Sequence, residues 1–212
     1  MIRLALMGAP ASGKGTQASR LVKEYHIPHI STGDILRKEI ADDTEIGREV
    51  KDILSAGQLA SDELMIEIIQ HRLALPDCED GFILDGFPRT IVQADKLAKM
   101  VELDCVVYIS TPDDLILSRI TARQTCSKCA ATFNKLFLPP KVEGVCDKCG
   151  GALTQRKDDT KEAGLARLKT FHKQIDPLLD YYKERDMLFE IDGTMEVAEL
   201  KASIMELLKK LS

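Results

Sequence analysis

The sequence predicts an α/β fold in which a parallel β-sheet carries helices on both faces. Short apolar runs alternate with longer helical patterns along the 212 residues. A glycine-rich segment lies directly between the first apolar run and the first helical pattern. Two stretches interrupt this alternation: residues 31–60 contain helical patterns only, and residues 124–158 are rich in Lys, Gly, Pro and Cys. In such folds ligands bind at the carboxyl ends of the strands.

The first half of the chain predicts three apolar strand-like runs and four helices. In order these are a strand at 2–7, a helix at 16–23, a short apolar run at 27–30, helices at 34–41, 46–56 and 62–74, and a buried strand at 82–85. Thr90 and Gln93 then have the spacing of a capping box, in which a hydroxyl and an amide satisfy the first turn of a helix.

The second half predicts two more strands, at 105–109 and 188–191, and helices at 162–184 and 195–210. Between them, the Thr111 hydroxyl is expected to cap a helix that has Pro112 in its first turn. Hydrophobic residues make up 44% of the chain, which suffices for one sizeable domain with inserts.

The charge and the apolar pattern predict a cytoplasmic protein. The formal net charge of -5 gives no overall attraction to nucleic acid or to anionic membranes. No apolar run reaches the length of about 18 residues that a membrane span needs. The first residues also lack the pattern of a signal peptide. We therefore expect neither a nucleic acid nor a membrane as partner.

The segment from Gly8 to Thr16 is the strongest functional signal. Two glycines separated by four residues allow a tight turn whose N–H groups point at an anion, and Lys14 adds a full positive charge. The helix that follows directs its positive end at the same point. A plain glycine-rich turn is the alternative. Gly15 stands where the general pattern has a hydroxyl residue that holds Mg²⁺, and Thr16 comes one position later, which argues against direct metal coordination by a hydroxyl.

Two cysteine pairs predict a closed metal site. The sequence has Cys126 and Cys129 in one pair, and Cys146 and Cys149 in the other. Four thiolates form a tetrahedral shell that zinc usually fills and that iron also accepts. Because the shell leaves no position for water or substrate, the metal is expected to organise the insert without taking part in chemistry. Two disulfides or four unused thiols are the alternatives.

Six arginines and three aspartates are candidates for binding the phosphates. They are Arg37, Arg89, Arg119, Arg123, Arg156, Arg167, Asp85, Asp158 and Asp159. Phosphoryl transfer needs positive charge and positioning, which guanidinium groups supply well. Arg119 and Arg123 are four residues apart and are expected to share a helix face. Asp85 ends an apolar strand, where Mg²⁺-directed carboxylates occur. Surface salt bridges, a turn aspartate and a solvated loop are the alternatives.

Taken together, these motifs resemble the adenylate kinase family, the P-loop nucleoside monophosphate kinases, in the long form with a metal-bearing lid. The resemblance rests on segments 8–17, 31–36, 85–90 and 156–159, on Gln93, Arg119, Arg123 and Arg167, and on the four cysteines. It implies a P-loop core at 1–30, 61–121 and 160–212, a helical AMP-binding insert at 31–60, and a zinc-organised lid at 122–159. It also implies a monomer that converts Mg·ATP and AMP into two ADP.

The resemblance also assigns residues to the two nucleotides. For ATP it implies Gly8, Ala11, Ser12, Gly13, Lys14, Gly15, Thr16, Arg119, Arg123 and Phe137. For AMP it implies Thr32, Gly33, Arg37, Gly86, Arg89, Gln93, Arg156 and Arg167. Lys14 and the arginines would surround the moving phosphoryl group, and Asp85 would act on Mg²⁺ through water. Asp158 and Asp159 would pair with arginines as the lid closes.

Three departures from the family pattern lie in or beside the lid: Gln124 replaces a frequent arginine, Phe133 replaces a frequent tyrosine, and Glu162-Ala163-Gly164 replaces a common Glu-Thr-Val. A UMP/CMP kinase or a GTP-dependent kinase is the nearest alternative. A P-loop switch with a zinc ribbon that binds nucleic acid or protein is a second one. Its basic patch would consist of Lys128, Lys135, Lys141 and Lys148.

Overall fold

The computed structural model describes residues 2–56 and 58–211. Met1, Gly57 and Ser212, which the predicted segments include, lie outside the described residues. The strands are Ile2–Gly8 (β1), His29–Ser31 (β2), Gly81–Asp85 (β3), Cys105–Ser110 (β4), Arg123–Cys126 (β5), Thr132–Asn134 (β6), Leu153–Thr154 (β7) and Leu188–Asp192 (β8). The helices are Lys14–Tyr25 (α1), Thr32–Ala41 (α2), Glu45–Ser55 (α3), Asp62–Leu73 (α4), Ile91–Met100 (α5), Asp113–Thr121 (α6), Lys161–Lys183 (α7) and Val197–Leu211 (α8), with a short 3-10 helix at Pro76–Cys78.

Five of the strands form a parallel sheet in the order β2-β3-β1-β4-β8. The first strand is therefore central, and Leu4 lies opposite Ile83 on one side and Cys105 on the other. Parallel neighbours need crossover connections, which the helices between the strands supply. The parallel α/β core predicted from the alternating pattern is confirmed.

Helices cover both faces of this sheet. Leu4 belongs to a buried cluster that includes Leu21 of α1 and Ile204 of α8. Its neighbour Ala5 points the other way, into a cluster with Ile69 of α4 and residues of α5 and α7. This alternation along β1 follows from the two-residue period of a strand. Because both faces are buried, the strand is apolar from Leu4 to Met7, as parallel strands usually are.

A separate antiparallel sheet lies between α6 and α7. It has the strand order β6-β5-β7, and Gln124 lies opposite Phe133 in its register. Phe133, Leu153, Cys126 and Cys146 form a small buried cluster there. The stretch at 124–158, which lacks a helical pattern, thus has its own sheet and its own core. The four-cysteine group predicted for this region lies within that small unit.

Hydroxyl caps fix where several helices begin. Thr90 Oγ1 accepts the Gln93 N–H at 3.2 Å, as the predicted capping box requires. The reciprocal bond differs from the prediction, because Gln93 Oε1 accepts the N–H of Arg89, at 2.7 Å, instead of that of Thr90. The prediction that the Thr111 hydroxyl caps the next helix is wrong. The helix α6 begins at Asp113 with Pro112 as its N-cap, so Thr111 lies one residue too early, and its buried hydroxyl has no hydrogen-bond partner.

The helix boundaries otherwise differ from the predicted ones by a few residues. The largest shift is that α2 begins at Thr32, two residues earlier than expected, and α1 likewise begins at Lys14. In both cases the polar residues of the first turn hide the helical pattern. Within the described ranges, none of the helices has the length and apolar character needed to cross a bilayer.

We predict that Leu4→Ala will lower the free energy of unfolding by about 3 kcal/mol, because Leu4 has no exposed surface and its removal leaves a cavity in the central strand. Urea unfolding followed by circular dichroism will measure the change. Val92→Ala is the matched control, since Val92 is 52% exposed and its truncation should change stability by less than about 0.5 kcal/mol. Equal unfolding midpoints for the two variants would contradict this account of the core.

Candidate functional site

A cavity of about 880 Å³ opens at the carboxyl ends of the parallel strands. Its wall includes residues from the sheet core, from the helical segment 31–60 and from the lid segment 122–159. The predicted site residues that line it are Gly8, Ala11, Ser12, Gly13, Lys14, Gly15, Thr16, Gly33, Arg37, Asp85, Gly86, Arg89, Arg119, Arg123, Phe137, Arg156, Asp158 and Arg167. Thr32, Gln93 and Asp159 are buried behind this wall. The volume falls in the range of small-molecule sites.

The glycine-rich loop joins β1 to α1 and curls around its own lysine. Lys14 Nζ donates to the carbonyl oxygens of Gly8 at 2.9 Å and Ala9 at 2.8 Å. Gly8 has a φ of 144°, and a Cβ there would lie 2.7 Å from the Ile109 carbonyl oxygen and 2.7 Å from Ser12 Oγ. Only glycine therefore fits the point where the strand turns into the loop. The helix start and the ammonium group both face the cavity, which suits a phosphate.

One carboxylate lies beside this lysine, at the end of β3. Asp85 Oδ2 is 3.2 Å from His29 Nε2, and a Cβ on Gly15 would lie 3.3 Å from the same oxygen. Gly15 thus lets the carboxylate come close to the start of α1. Burial would raise the pKa of Asp85, but the His29 hydrogen bond and the Lys14 charge outweigh it, so the pKa lies below its ordinary value. The group is ionised at neutral pH and can act toward a hard cation.

Arg119 connects the loop to the far edge of the sheet. Its guanidinium donates to the Gly193 carbonyl oxygen at 2.9 Å and to that of Ser12 at 3.3 Å. The same group lies 5.5 Å from the ring centroid of Phe137. Gln17 makes a second link across this gap, from its Nε2 to the Val197 carbonyl oxygen at 2.9 Å. Residues after β8 therefore help to fix the glycine-rich segment from Gly8 to Thr16, the phosphate loop.

Two arginine–aspartate pairs lie where the lid meets α7. Arg123 forms a two-pronged ion pair with Asp159, and Arg167 pairs with Asp158. Asp159 is 1% exposed, so its carboxylate depends on these guanidinium groups for solvation. The alternative of a solvated acidic loop is therefore wrong for Asp159.

Arg119 and Arg123 do not share a helix face, contrary to the prediction from their spacing. The helix α6 ends at Thr121, with Ala122 as its C-cap, and Arg123 is the first residue of β5. The two guanidinium groups still line the same cavity, because the chain turns from α6 into the lid at this point. The i, i+4 spacing would place them together only if the helix continued.

Burial makes this cluster of cations electrostatically costly. Burial, together with the positive charges of nearby Arg123 and Arg37, lowers the pKa of Arg156 to about 10. Burial, followed by the same two arginines, also lowers the pKa of Arg167 to about 10. Each guanidinium remains charged at neutral pH. A polyanionic ligand would relieve both the desolvation and the mutual repulsion.

A second group of cations lies on the side of the helical segment. Arg37 Nη2 donates to Asp34 Oδ1 at 2.5 Å, and Arg156 Nη2 is 3.6 Å from the same oxygen. Arg89 Nε donates to the Gly86 carbonyl oxygen at 2.7 Å. These guanidinium groups line the same cavity as the glycine-rich loop but come from other segments, so the site has cations for two phosphate groups.

The four predicted metal ligands meet at one point of the lid. All their sulfur atoms lie within 4.8 Å of one another. The Cys126 and Cys149 sulfurs are 3.5 Å apart, and those of Cys129 and Cys146 are 3.6 Å apart. A zinc ion with bonds of about 2.3 Å requires sulfur–sulfur distances of about 3.8 Å, so the group can hold a metal ion. All six cysteines of the described ranges are free thiols, and the predicted alternative of two disulfides is wrong.

The turn around Cys126 favours its thiolate. Backbone N–H groups of Cys129 and Lys128 point at its sulfur, and they lower the pKa of Cys126 to about 6. Hydrogen bonds that stabilise the thiolate in this way favour metal binding by a cysteine, because the thiolate is the form that binds metal. Gly151 closes the other side of the site, where a Cβ would lie 2.9 Å from Cys126 Sγ.

The cavity wall also includes residues that the sequence analysis did not single out. The helical segment contributes Ile40, Leu54 and Leu59, and the connection after β8 contributes Gly193 and Met195. A glycine just after a predicted parallel strand was a usable signal for Gly193, since ligands bind there. The apolar residues carried no such signal, because the same side chains would suit a core.

Comparisons with known proteins agree along nearly the whole chain. A sequence model described as adenylate kinase matches residues 6–187. The chain is 48% identical over 212 residues to an adenylate kinase of Clostridium tetani, with 98% of each chain covered. It is 47% identical over 212 residues to an adenylate kinase of Caldicellulosiruptor bescii, with 98% of this chain and 99% of the relative covered. An adenylate kinase of Archaeoglobus fulgidus is 42% identical over 215 residues, with 99% of each chain covered.

We predict that Gly151→Ala will weaken the binding of Zn²⁺ by about tenfold, because the new Cβ would push on Cys126 Sγ and on Lys128 Cβ, each only 2.9 Å away. Competition of the zinc-loaded protein with a coloured chelator will measure the affinity. Gly144→Asn is the control, since the space around Gly144 is open and asparagine tolerates its positive φ of 74°. Equal zinc affinity in Gly151→Ala and the parent protein would contradict this prediction.

Proposed function

This chain belongs to the adenylate kinase family and catalyses the reversible transfer of a phosphoryl group from ATP to AMP, and we propose that its phosphate loop binds ATP while Arg37 and Arg89 bind the phosphate of AMP. It is thus a nucleoside monophosphate kinase, and its substrates are ATP, AMP and ADP. The observation that carries the assignment of residues is the convergence of cations on one cavity from the phosphate loop, the segment 31–60, the loop after β3 and the lid.

The reaction requires the protein to supply positive charge around the moving phosphoryl group and to align the two substrates. An oxygen of the AMP phosphate attacks the γ-phosphorus of ATP, and the bond from that phosphorus to the bridging oxygen of ADP breaks. Lys14 neutralises charge on the moving group, and Arg119, Arg123, Arg156 and Arg167 surround it. The pairing of two substrates in one cavity supplies the in-line geometry. The buried positions of these cations strengthen their action on the developing charge.

The acceptor end is assigned to the segment 31–60 and the loop after β3. Arg37 and Arg89 bind the AMP phosphate, because both line the cavity from segments other than the loop that binds ATP. Thr32, Gly86 and Gln93 recognise the acceptor base. Gly86 supports this role, since its φ of 82° and its contacts with Arg89 and Thr32 leave no room for a side chain.

The family uses ATP as its Mg²⁺ complex, and Mg²⁺ neutralises charge on the phosphate oxygens when it is bound. Asp85 is the residue that would hold it, because its carboxylate is ionised, lines the cavity and lies beside Lys14. Thr16 and Gly15 line the same wall. The glycine allows the carboxylate to approach, which accounts for the missing hydroxyl at this position of the loop.

The chain is divided into three functional parts. Residues 1–30, 61–121 and 160–212 form the core, residues 31–60 form the AMP-binding insert, and residues 122–159 form the lid. The pairs of Arg167 with Asp158 and Asp159 support closure of the lid over the substrates, because they bridge the lid and α7. Closure excludes water, which would otherwise accept the phosphoryl group.

Zinc is the metal we propose for the four cysteines, with iron as the other candidate. Its role is structural, since four protein ligands leave no open position. The reduced thiols suit a cytoplasmic protein.

We propose that the protein acts as a monomer, which sedimentation analysis of the purified chain will test.

We predict that AMP will be the preferred acceptor over UMP, CMP and GMP in a coupled assay of ADP release.

Lys14→Met should lower the rate of transfer by at least about a hundredfold, because the moving group loses its nearest cation. Its melting temperature should stay near that of the parent protein. A preference for UMP or CMP would indicate a pyrimidine kinase, and near-normal activity of Lys14→Met would remove this lysine from the mechanism.

The affinity for ATP should fall at alkaline pH. Burial lowers the pKa of Lys14 to about 8, although the nearby Asp85 charge opposes this shift. The ammonium is therefore charged below pH 8 and becomes neutral above it, so the Kd of ATP should rise by up to about tenfold per pH unit above this point. Isothermal titration calorimetry between pH 7 and pH 9.5 will measure it. Lys14→Arg is the control, because a guanidinium keeps its proton and should remove the break near pH 8. A constant Kd in the parent protein would contradict this assignment.

A further inference from the structure

A buried hydrogen-bond network begins at the carboxylate of Asp62, the first residue of α4. Asp62 Oδ1 accepts from Gln93 Nε2 at 2.8 Å, and Asp62 Oδ2 accepts from Thr90 Oγ1 at 3.0 Å. The two donors lie at the start of α5, nearly thirty residues further along the chain. The carboxylate therefore ties the exit of the segment 31–60 to the loop that carries Arg89.

The orientation of the Gln93 amide is fixed by both of its neighbours. Gln93 Oε1 accepts from the backbone N–H of Arg89 at 2.7 Å, while Nε2 donates to Asp62. A backbone N–H can only donate and a carboxylate can only accept, so the amide cannot be turned around without losing both bonds. Gln93 is 2% exposed, and water cannot replace either partner.

The network continues to the entry of the same segment. Arg89 Nε donates to the Gly86 carbonyl oxygen at 2.7 Å, and Thr32 Oγ1 donates to that oxygen at 3.0 Å. Thr32 begins α2 and Asp62 begins α4. Both ends of the helical segment are thus joined through one set of hydrogen bonds to the residues proposed to bind the acceptor.

We propose that Asp62 is a positioning residue that determines the acceptor base, by holding the Gln93 amide in the one orientation that suits adenine. After its two bonds the amide keeps one N–H and one oxygen lone pair. The amide oxygen can accept a hydrogen bond from N6 of adenine, and the amide N–H can donate one to N1. Hypoxanthine presents an acceptor at O6 and a donor at N1, so an amide in the same orientation would meet oxygen with oxygen. This inference rests on the proposed role of Gln93 in recognising the base.

The test compares AMP with IMP, which differs from it only along this edge of the base. Asp62→Leu removes the acceptor at similar size, and Asp62→Ser removes it with a residue suited to a helix start, whose hydroxyl is one bond too short to reach Gln93. Asp62→Asn is the matched control, because its amide oxygen can still accept from Gln93. Calorimetry on each full-length variant will give the Kd values of AMP, IMP and ATP.

We expect Asp62→Leu and Asp62→Ser to reduce the preference for AMP over IMP by about tenfold, the value of one buried hydrogen bond, while the Kd of ATP stays unchanged. Asp62→Asn should keep most of the preference. An unchanged AMP/IMP ratio in both Asp62→Leu and Asp62→Ser would overturn the inference. Gln93→Leu distinguishes a failure of base recognition by Gln93 from a failure of the positioning role of Asp62. If Gln93→Leu also keeps the AMP/IMP ratio of the parent protein, base recognition by Gln93 itself is wrong. If Gln93→Leu loses that ratio while both Asp62 variants keep it, only the role of Asp62 is wrong.

Discussion

The concentration of positive charge in one buried cavity is the constraint on which the rest of this structure depends. Lys14, Arg89 and Arg156 each have a lowered pKa because burial disfavours their charged forms. Such a cluster is stable only if every cation has a partner. In the described residues those partners are carbonyl oxygens of the phosphate loop for Lys14, the Gly86 carbonyl oxygen for Arg89, and the Thr125 hydroxyl and the Asp34 carboxylate for Arg156. The same positions would be occupied by phosphate oxygens when nucleotides bind.

The scaffold meets this constraint by bringing distant segments to one edge of the sheet. The central strand β1 delivers the phosphate loop, β3 delivers Asp85, and the lid delivers Arg123 and Arg156. The lid has too small a buried cluster to define its own shape by packing alone. The four cysteine sulfurs lie close enough together to hold a metal ion, and a bound ion would supply the missing constraint.

The sequence predicted the fold and the phosphate loop because both depend on local patterns. Alternation of apolar runs with helical patterns gave the parallel sheet, and the spacing of Gly8, Gly13 and Lys14 gave the loop. It failed where tertiary structure decides. The i, i+4 spacing of Arg119 and Arg123 could not show that the helix ends between them. Asp62 and His29 carried no signal, since a lone carboxylate or imidazole acquires its role only from partners brought near by folding.

The links from Gln17 to Val197 and from Arg119 to Gly193 have a consequence for how the protein is made. The ribosome releases the glycine-rich segment about 180 residues before the groups that anchor it. At about 5–20 residues per second, the nascent polypeptide spends roughly 9 to 36 seconds with an unanchored loop. Until then, the folding of the growing chain relies on the apolar contacts of β1 that are already made, because α8 completes that core with Leu200, Ile204 and Leu208 only at the end.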